Sequence, residues 1–187
     1  MPDESIQILN RPFFEDIKNQ IESALRKFGE TDRKLLEYSI DEYAYPHHIA
    51  KYLEVYFSKF GYDVDCDYNK VGKTGEVKKG ENTSPNSNMR TKPKGLRPDI
   101  IVHKRGNEVE NNLLVIEIKK DEARQSRKNK DREKLRDFTS MSRQLRYKYG
   151  LFLTISIKKP FKIQGEFYEN GKVSPDKKID PFNLILD

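Results

Sequence analysis

The chain has 187 residues, of which 36 are lysine or arginine and 30 are aspartate or glutamate, so its formal net charge is +6. This length predicts a single domain, residues 1–187, with enough chain to bury a core. No apolar run is long enough to span a membrane, the first residues lack a signal-peptide pattern, and Cys66 is the one cysteine; together these features predict a cytoplasmic protein without a disulfide. The basic balance favours a polyanionic partner.

Apolar residues at helical spacing predict two helices in the first third of the chain. The first extends from Phe14 to a stop at Gly29, with Asn10 as a candidate N-cap. The second is expected over residues 39–60, before Gly61. Apolar and acidic residues then alternate over residues 62–68, which predicts a half-buried strand.

Residues 71–97 differ from their surroundings, because 14 of these 27 residues are Gly, Ser, Thr, Asn or Pro and their net charge is +5. This composition predicts a long, mobile, basic loop. Two apolar strands are expected after it, at residues 98–103 and 113–119. A highly charged segment follows.

The remaining sequence predicts a further helix, a strand and a C-terminal extension. The helix is indicated by apolar residues at Leu135, Phe138, Met141 and Leu145. The strand covers residues 150–157, and Asn170-Gly171 is typical of a hairpin turn, so residues 158–187 are interpreted as a hairpin extension. The order of elements predicts an α/β domain in which helices flank a central mixed sheet.

Asp99 and Glu117 are informative because each lies in an otherwise apolar strand. A regular hairpin with its midpoint near Glu108 would place Asp99 opposite Glu117, and Lys119 would lie on the same face. The opposite face would then be entirely apolar, with Ile100, Val102, Leu114, Ile116 and Ile118. The pattern therefore predicts two carboxylates and a lysine at one place.

Two opposed carboxylates repel each other unless a cation lies between them, and oxygen ligands suit Mg²⁺ or Mn²⁺. The Ile118 carbonyl is a plausible further ligand. Such an ion activates water and stabilises charge at phosphorus, while Lys119 would orient the water or contact the scissile phosphate. The sequence therefore predicts phosphodiester hydrolysis.

The strings RPDIIVHKRG and NLLVIEIKK, followed by DREKL and YGLFL, resemble the PD-(D/E)xK nuclease superfamily, and most closely its small prokaryotic and viral members. The likeness covers residues 39–157. It implies a restriction-endonuclease-like fold and metal-dependent cleavage of nucleic acid. Many enzymes of this fold act as dimers, so a homodimer is a possible assembly for this chain.

The same resemblance implies roles for individual residues. Asp99 and Glu117 take the metal-ligand positions, and Lys119 takes that of the catalytic lysine. Glu42 falls where the family has a helical glutamate that contributes to catalysis or metal binding, although Ser39 and Glu42 also match a capping box. Lys134 falls where a basic residue contacts phosphate.

Positive charge is concentrated beside the acidic motif, since residues 120–148 have 11 lysines and arginines against 5 acids. Next to a phosphodiesterase site, such charge favours contact with a nucleic-acid backbone. The candidate contact residues are Arg97, Arg105, Arg127, Lys128 and Lys134. DNA is favoured over RNA or single strands because no array of interleaved aromatic residues is present.

Other interpretations stay open. The chain could be a nucleic-acid-binding module without turnover, or an interaction subunit of a larger assembly. His103 could support the acidic site or be an ordinary hydrogen-bonded strand histidine. Alternating Asp63, Asp65 and Asp67 are typical of a solvated strand face rather than of a calcium loop.

Overall fold

The computed structural model describes residues 12–67, 70–71, 76–77, 97–105, 111–143, 145–174 and 184–186. The helices are α1 (Phe14–Thr31), α2 (Arg33–Glu37), α3 (Ala44–Phe57), which continues as a 3₁₀ turn (Ser58–Phe60), and α4 (Gln125–Thr139). The strands are β1 (Asp63–Cys66), β2 (Lys70–Val71), β3 (Glu76–Val77), β4 (Ile100–His103), β5 (Asn112–Lys120), β6 (Tyr149–Ser156), β7 (Phe161–Glu169), β8 (Lys172–Val173) and β9 (Leu184–Leu186).

Seven of these strands form one mixed sheet. Its order is β1-β4-β5-β6-β7-β8, and β9 also pairs with β7. The central pair β5 and β6 is parallel, because α4 connects them, whereas the other neighbouring strands are antiparallel. The fold is therefore mixed α/β with a central mixed sheet flanked by helices, as the sequence predicts.

The two faces of the sheet pack against different helices. On one face, α1 and α3 bury the apolar side chains that the hairpin pattern assigns to it, including Ile100, Ile116 and Ile118. On the other face, α4 packs against a smaller cluster that includes Val115 and Phe152. Glu117 and Lys119 alternate with Ile116 and Ile118 along β5, so their side chains lie on the α4 face.

Gly150 allows α4 to approach β6 closely. An added Cβ there would lie 3.1 Å from Thr139, 3.2 Å from Tyr168 and 3.3 Å from Leu135. Because no side chain separates the backbone of β6 from the helix, the polar residues of α4 lie within reach of β5.

The register of β4 and β5 confirms the predicted pairing. Ile100 faces Ile116 and Val102 faces Leu114, and the one irregularity in this ladder follows Val102. The irregularity lies at the end of β4 away from Asp99, so the acidic positions keep the regular register.

Several element boundaries differ from the predictions. The helix expected from residue 39 begins at Ala44, because Ser39 adopts a positive φ of 48° and residues 42–43 form a turn. The last predicted helix includes the charged segment from Gln125 and ends at Thr139, so Met141 lies beyond it and is exposed.

The C-terminal part of the chain is more closely integrated than predicted. The turn at Asn170-Gly171 joins β7 to β8, as expected. However, β7 pairs with β6 over seven residues, from Lys162 to Tyr168, so this strand belongs to the central sheet rather than to a hairpin appendage.

Two predicted features lie wholly or mainly outside the described residues. Asn10 is one of them, and most of the basic loop 71–97 is the other. Within that loop the structure describes Val71, Arg97 and strand β3, which pairs with β2. In the described part of the chain, no helix combines the length and apolar character required to cross a membrane.

Candidate functional site

Asp99 and Glu117 lie together because of the β4 and β5 register. Asp99 immediately precedes β4, and its Oδ2 accepts the backbone N–H of Ile118 at 2.7 Å. Glu117 is on β5, on the α4 face, and is only 1% exposed. The structure thus brings the two predicted carboxylates to one position in the sheet.

Both carboxyl groups have raised pKa values. Burial is the main cause for Glu117, and the negative charge of Asp99 adds to it, so the pKa lies well above its ordinary value. Burial also raises the pKa of Asp99, although the Ile118 N–H and the positive charge of Lys119 act in the opposite direction. Keeping both carboxyl groups ionised therefore lowers the stability of the folded protein.

Lys119 lies at the centre of the polar network. Its Nζ is 3.0 Å from Oε1 of Glu42 and 3.1 Å from Oδ2 of Asp131, and it donates to the Ile118 carbonyl at 2.9 Å. Burial alone would lower the pKa of Lys119, but the charges of Asp99, Asp131 and Glu42 raise it. This side chain is therefore an ammonium ion at neutral pH.

Asp131 is a site residue that the sequence interpretation missed. It lies on α4, is 4% exposed, and places Oδ1 2.6 Å from Nζ of Lys134. Lys134 in turn lies 3.4–3.5 Å from the two carboxylate oxygens of Glu117. A sequence signal exists, because Asp131 is four and seven residues before the buried Leu135 and Phe138 and so shares their inward face.

Glu42 reaches the site from the turn before α3. Its Oε2 accepts the backbone N–H of Lys120 at 3.0 Å, and its Oε1 contacts Lys119. The capping box with Ser39 is wrong, since Glu42 precedes the first residue of the helix, Ala44. Glu42 is close to the site through these contacts with β5 rather than through a position within a helix.

Carboxylates outnumber ammonium groups in this cluster. Its acids are Glu42, Asp99, Glu117 and Asp131, and its bases are Lys119 and Lys134. When all six side chains are ionised, four negative charges face two positive charges. One divalent cation would offset the resulting net charge of −2 in the cluster.

The donor chemistry suits a hard cation held by few protein ligands. Among the described residues, no group of three or more His, Cys, Asp or Glu side chains is arranged to hold a metal ion. Magnesium commonly uses one or two carboxylates and completes its coordination with water and substrate phosphate. Asp99 and Glu117 fit that pattern, whereas the Ile118 carbonyl already accepts a hydrogen bond from Lys119.

The predicted nucleic-acid contacts have different environments. Arg97 and Arg127 are exposed. Lys128 contacts the Asp121 carboxylate at 3.1 Å, and Lys134 points inward to Asp131 and Glu117.

Arg105 belongs to a separate cluster at the β1 side of the sheet. Its Nη2 lies 2.7 Å from Oδ1 of Asp65, and Nε2 of His103 lies 2.8 Å from Oδ2 of the same residue. His103 is thus a buried, hydrogen-bonded strand histidine that is paired with Asp65. Asp63 also contacts Arg105, so two of the three alternating aspartates form ion pairs with the end of β4 or the residues that follow it.

Comparisons with protein-family models, with curated proteins and with solved structures gave no significant match.

Proposed function

We propose that the protein is a metal-dependent nuclease that hydrolyses phosphodiester bonds, with DNA as the favoured substrate. The observation that carries the proposal is the grouping of Asp99, Glu117 and Lys119 on one sheet face, within a cluster that has two more carboxylates than ammonium groups. The resemblance to the PD-(D/E)xK superfamily supports the same assignment.

Asp99 and Glu117 would hold Mg²⁺ or Mn²⁺. When bound, such an ion lowers the pKa of a water molecule and neutralises phosphate charge. Lys119 would donate a hydrogen bond to a non-bridging oxygen of the scissile phosphate in exchange for its bond to the Ile118 carbonyl, because its three N–H donors already contact Glu42, Asp131 and that carbonyl. Glu42 and Asp131 both contact the ammonium group, so their proposed task is to position Lys119.

Lys134 would compensate the charge of Glu117. Its Nζ is bound to Asp131 at 2.6 Å and is only 3.4 Å from Glu117. This ammonium group reduces the cost of a buried carboxylate before a metal ion arrives. It is also close enough to the site to contact a neighbouring phosphate oxygen.

The test is digestion of supercoiled plasmid and linear duplex DNA with Mg²⁺ or Mn²⁺, and with EDTA. Asp99→Asn, Glu117→Gln and Lys119→Met are expected to reduce cleavage by at least about 100-fold, as loss of a metal ligand or of a charge-stabilising donor does. The control is Lys27→Met, which removes an exposed lysine of α1 on the other side of the sheet. Cleavage in EDTA, or wild-type activity in all three variants, contradicts the proposal.

The alternative is a nucleic-acid-binding module without turnover. One observation favours it: Lys134 already partly neutralises Glu117, so the site has some charge compensation without a metal ion. This alternative predicts salt-sensitive binding of nucleic acid that is retained in Asp99→Asn, with no cleavage product under any metal condition.

A further inference from the structure

A second polar feature lies beside the candidate site, at the ends of β5 and β6 and the start of β7. It is a cavity of about 340 Å³. Its lining includes Asp121, Thr154, Lys158, Lys159, Lys162 and Gln164. Two of these lysines, Lys158 and Lys159, follow the end of β6.

The cavity shares a sheet face with Lys119. In the ladder Lys119 pairs with Thr154, and Thr154 pairs with Gln164. Side chains of paired residues point to the same side of a sheet, and Lys119 contacts Asp131 of α4 on that side. Since neighbouring strands are about 4.8 Å apart, Gln164 is only about 10 Å from Lys119 across the sheet.

The charge of the lining is positive. Asp121 supplies the carboxylate among the lining residues, and this carboxylate contacts Nζ of Lys128 at 3.1 Å. Its charge is therefore compensated from α4 and does not neutralise the lysines of the cavity. Lys158, Lys159 and Lys162 are all exposed, so each ammonium group is accessible to an anion; that of Lys159 also lies 5.9 Å from the centroid of the Phe161 ring.

We propose that this cavity binds a backbone phosphate of the nucleic acid, a few nucleotides from the phosphate at Lys119. The lysines supply charge, and the Thr154 hydroxyl and Gln164 amide are neutral groups suited to hydrogen bonding with phosphate oxygens. This inference rests on the proposed function, because it assigns the substrate of that site a second contact. It also explains how the substrate is held beside an acidic cluster that would otherwise repel it.

The experiment measures binding in EDTA, so that it does not depend on cleavage. The probe is an internally labelled duplex oligonucleotide with 5′-hydroxyl ends, titrated at several salt concentrations. The double variant Lys158→Gln/Lys162→Gln is expected to weaken binding by about 5- to 30-fold. The slope of log K against log salt should become less steep by about 1, which corresponds to one phosphate contact.

The matched control is Lys27→Gln/Lys59→Gln, which removes two exposed lysines from α1 and the 3₁₀ turn. Its affinity and salt slope should stay within about twofold of wild type. Equal effects in both double variants, or no effect in either, overturn the proposal. The melting temperature of each variant establishes that it is folded, and Lys159→Gln/Lys162→Gln serves as a second cavity variant.

A phosphate group could also come from a strand terminus or from solution. If the cavity variants weaken only a 5′-phosphorylated duplex, or lose only the binding of inorganic phosphate, the assignment to a backbone phosphate is overturned. Failure of the two proposals is distinguishable. Cavity-dependent binding without cleavage would reject the nuclease alone, whereas cleavage with binding that is independent of the cavity would reject this inference alone.

Discussion

Lys119 of β5 and Asp131 of α4 form an ion pair across two elements, with Nζ 3.1 Å from Oδ2. The other oxygen of Asp131 is 2.6 Å from Nζ of Lys134. One buried carboxylate thus holds both lysines of the candidate site. Strand β5 is linked in this way to α4, the helix that covers this face of the sheet.

Asp131→Asn is expected to affect both stability and activity. The neutral amide leaves two partly buried ammonium groups with less compensation, so the free energy of unfolding should fall by about 1–3 kcal/mol. Cleavage should fall by at least about tenfold because Lys119 loses one of the groups that position it. Urea unfolding and single-turnover cleavage measure the two effects.

Asp137→Asn on the same helix is the control for this prediction. Its side chain is 42% exposed and lies 3.4 Å from Arg143. An exposed pair of this kind contributes about 0–1 kcal/mol. If Asp131→Asn lowers the free energy of unfolding no more than Asp137→Asn does, the contact between Asp131 and Lys119 does not contribute to stability as predicted.

Glu117→Gln is expected to separate stability from function. Burial and the Asp99 charge make the ionised carboxylate costly, and Lys134 keeps its contact with Asp131 when Glu117 is neutral. In EDTA, the free energy of unfolding should therefore rise by about 1 kcal/mol, whereas cleavage with Mg²⁺ or Mn²⁺ should be lost. The measurement is urea unfolding near neutral pH.

Glu166→Gln is expected to change the free energy of unfolding in the opposite direction. Glu166 is less buried than Glu117 and accepts hydrogen bonds from Arg132 at 3.3 Å and from Tyr168. Its neutralisation should lower the free energy of unfolding by up to about 1 kcal/mol. A clear destabilisation by Glu117→Gln would indicate that Glu117 serves the fold rather than a site.

The central part of the candidate site was predictable because it is local in sequence. Asp99 and Glu117 belong to adjacent strands, and the regular register that places Ile100 opposite Ile116 also brings these acids together. The alternation along β5 then fixes the face of Lys119. No knowledge of distant packing was needed.

Asp131 and Glu42 required tertiary information. The position of Asp131 over β5 depends on how closely α4 packs against β6, and the absence of a side chain at Gly150 determines that distance. Glu42 reaches β5 from a turn that the periodic pattern had included in a helix. The place of β7 in the sheet was missed although its burial alternates along the strand.

Metal addition is expected to stabilise the wild-type protein. At a free Mg²⁺ or Mn²⁺ concentration ten times the dissociation constant, binding to the folded state contributes about 1.4 kcal/mol. For a chain of this length that corresponds to a rise in melting temperature of about 3–6 °C. Thermal unfolding with and without EDTA measures it.

Asp99→Asn should abolish this rise because it removes a proposed ligand. Glu133→Gln, which alters an exposed acid of α4, should retain it. An equal rise in both variants would show that the metal ion acts elsewhere on the protein.

The pH dependence of stability should reveal the Asp65 cluster at the β1 side of the sheet. Burial alone would raise the pKa of Asp65, but hydrogen bonds from Arg105 and His103 hold it below its ordinary value of 3.8. The folded state therefore favours the ionised carboxylate. The resulting stability is fully present above pH 3.8 and is lost as the pH falls through the lower pKa of the folded state.

Asp65→Asn is accordingly expected to cost about 1–2 kcal/mol at pH 6, and this difference from wild type should shrink toward pH 3. Asp63→Asn is the matched control, because its side chain is 39% exposed and its carboxylate lies 3.6 Å from Arg105, so its neutralisation should cost less. Urea unfolding across this pH range measures both variants. If Asp65→Asn lowers the free energy of unfolding by the same amount at pH 6 and at pH 3, the carboxylate charge does not stabilise the contact between β1 and β4. The destabilisation would then come from the poor steric fit of the amide.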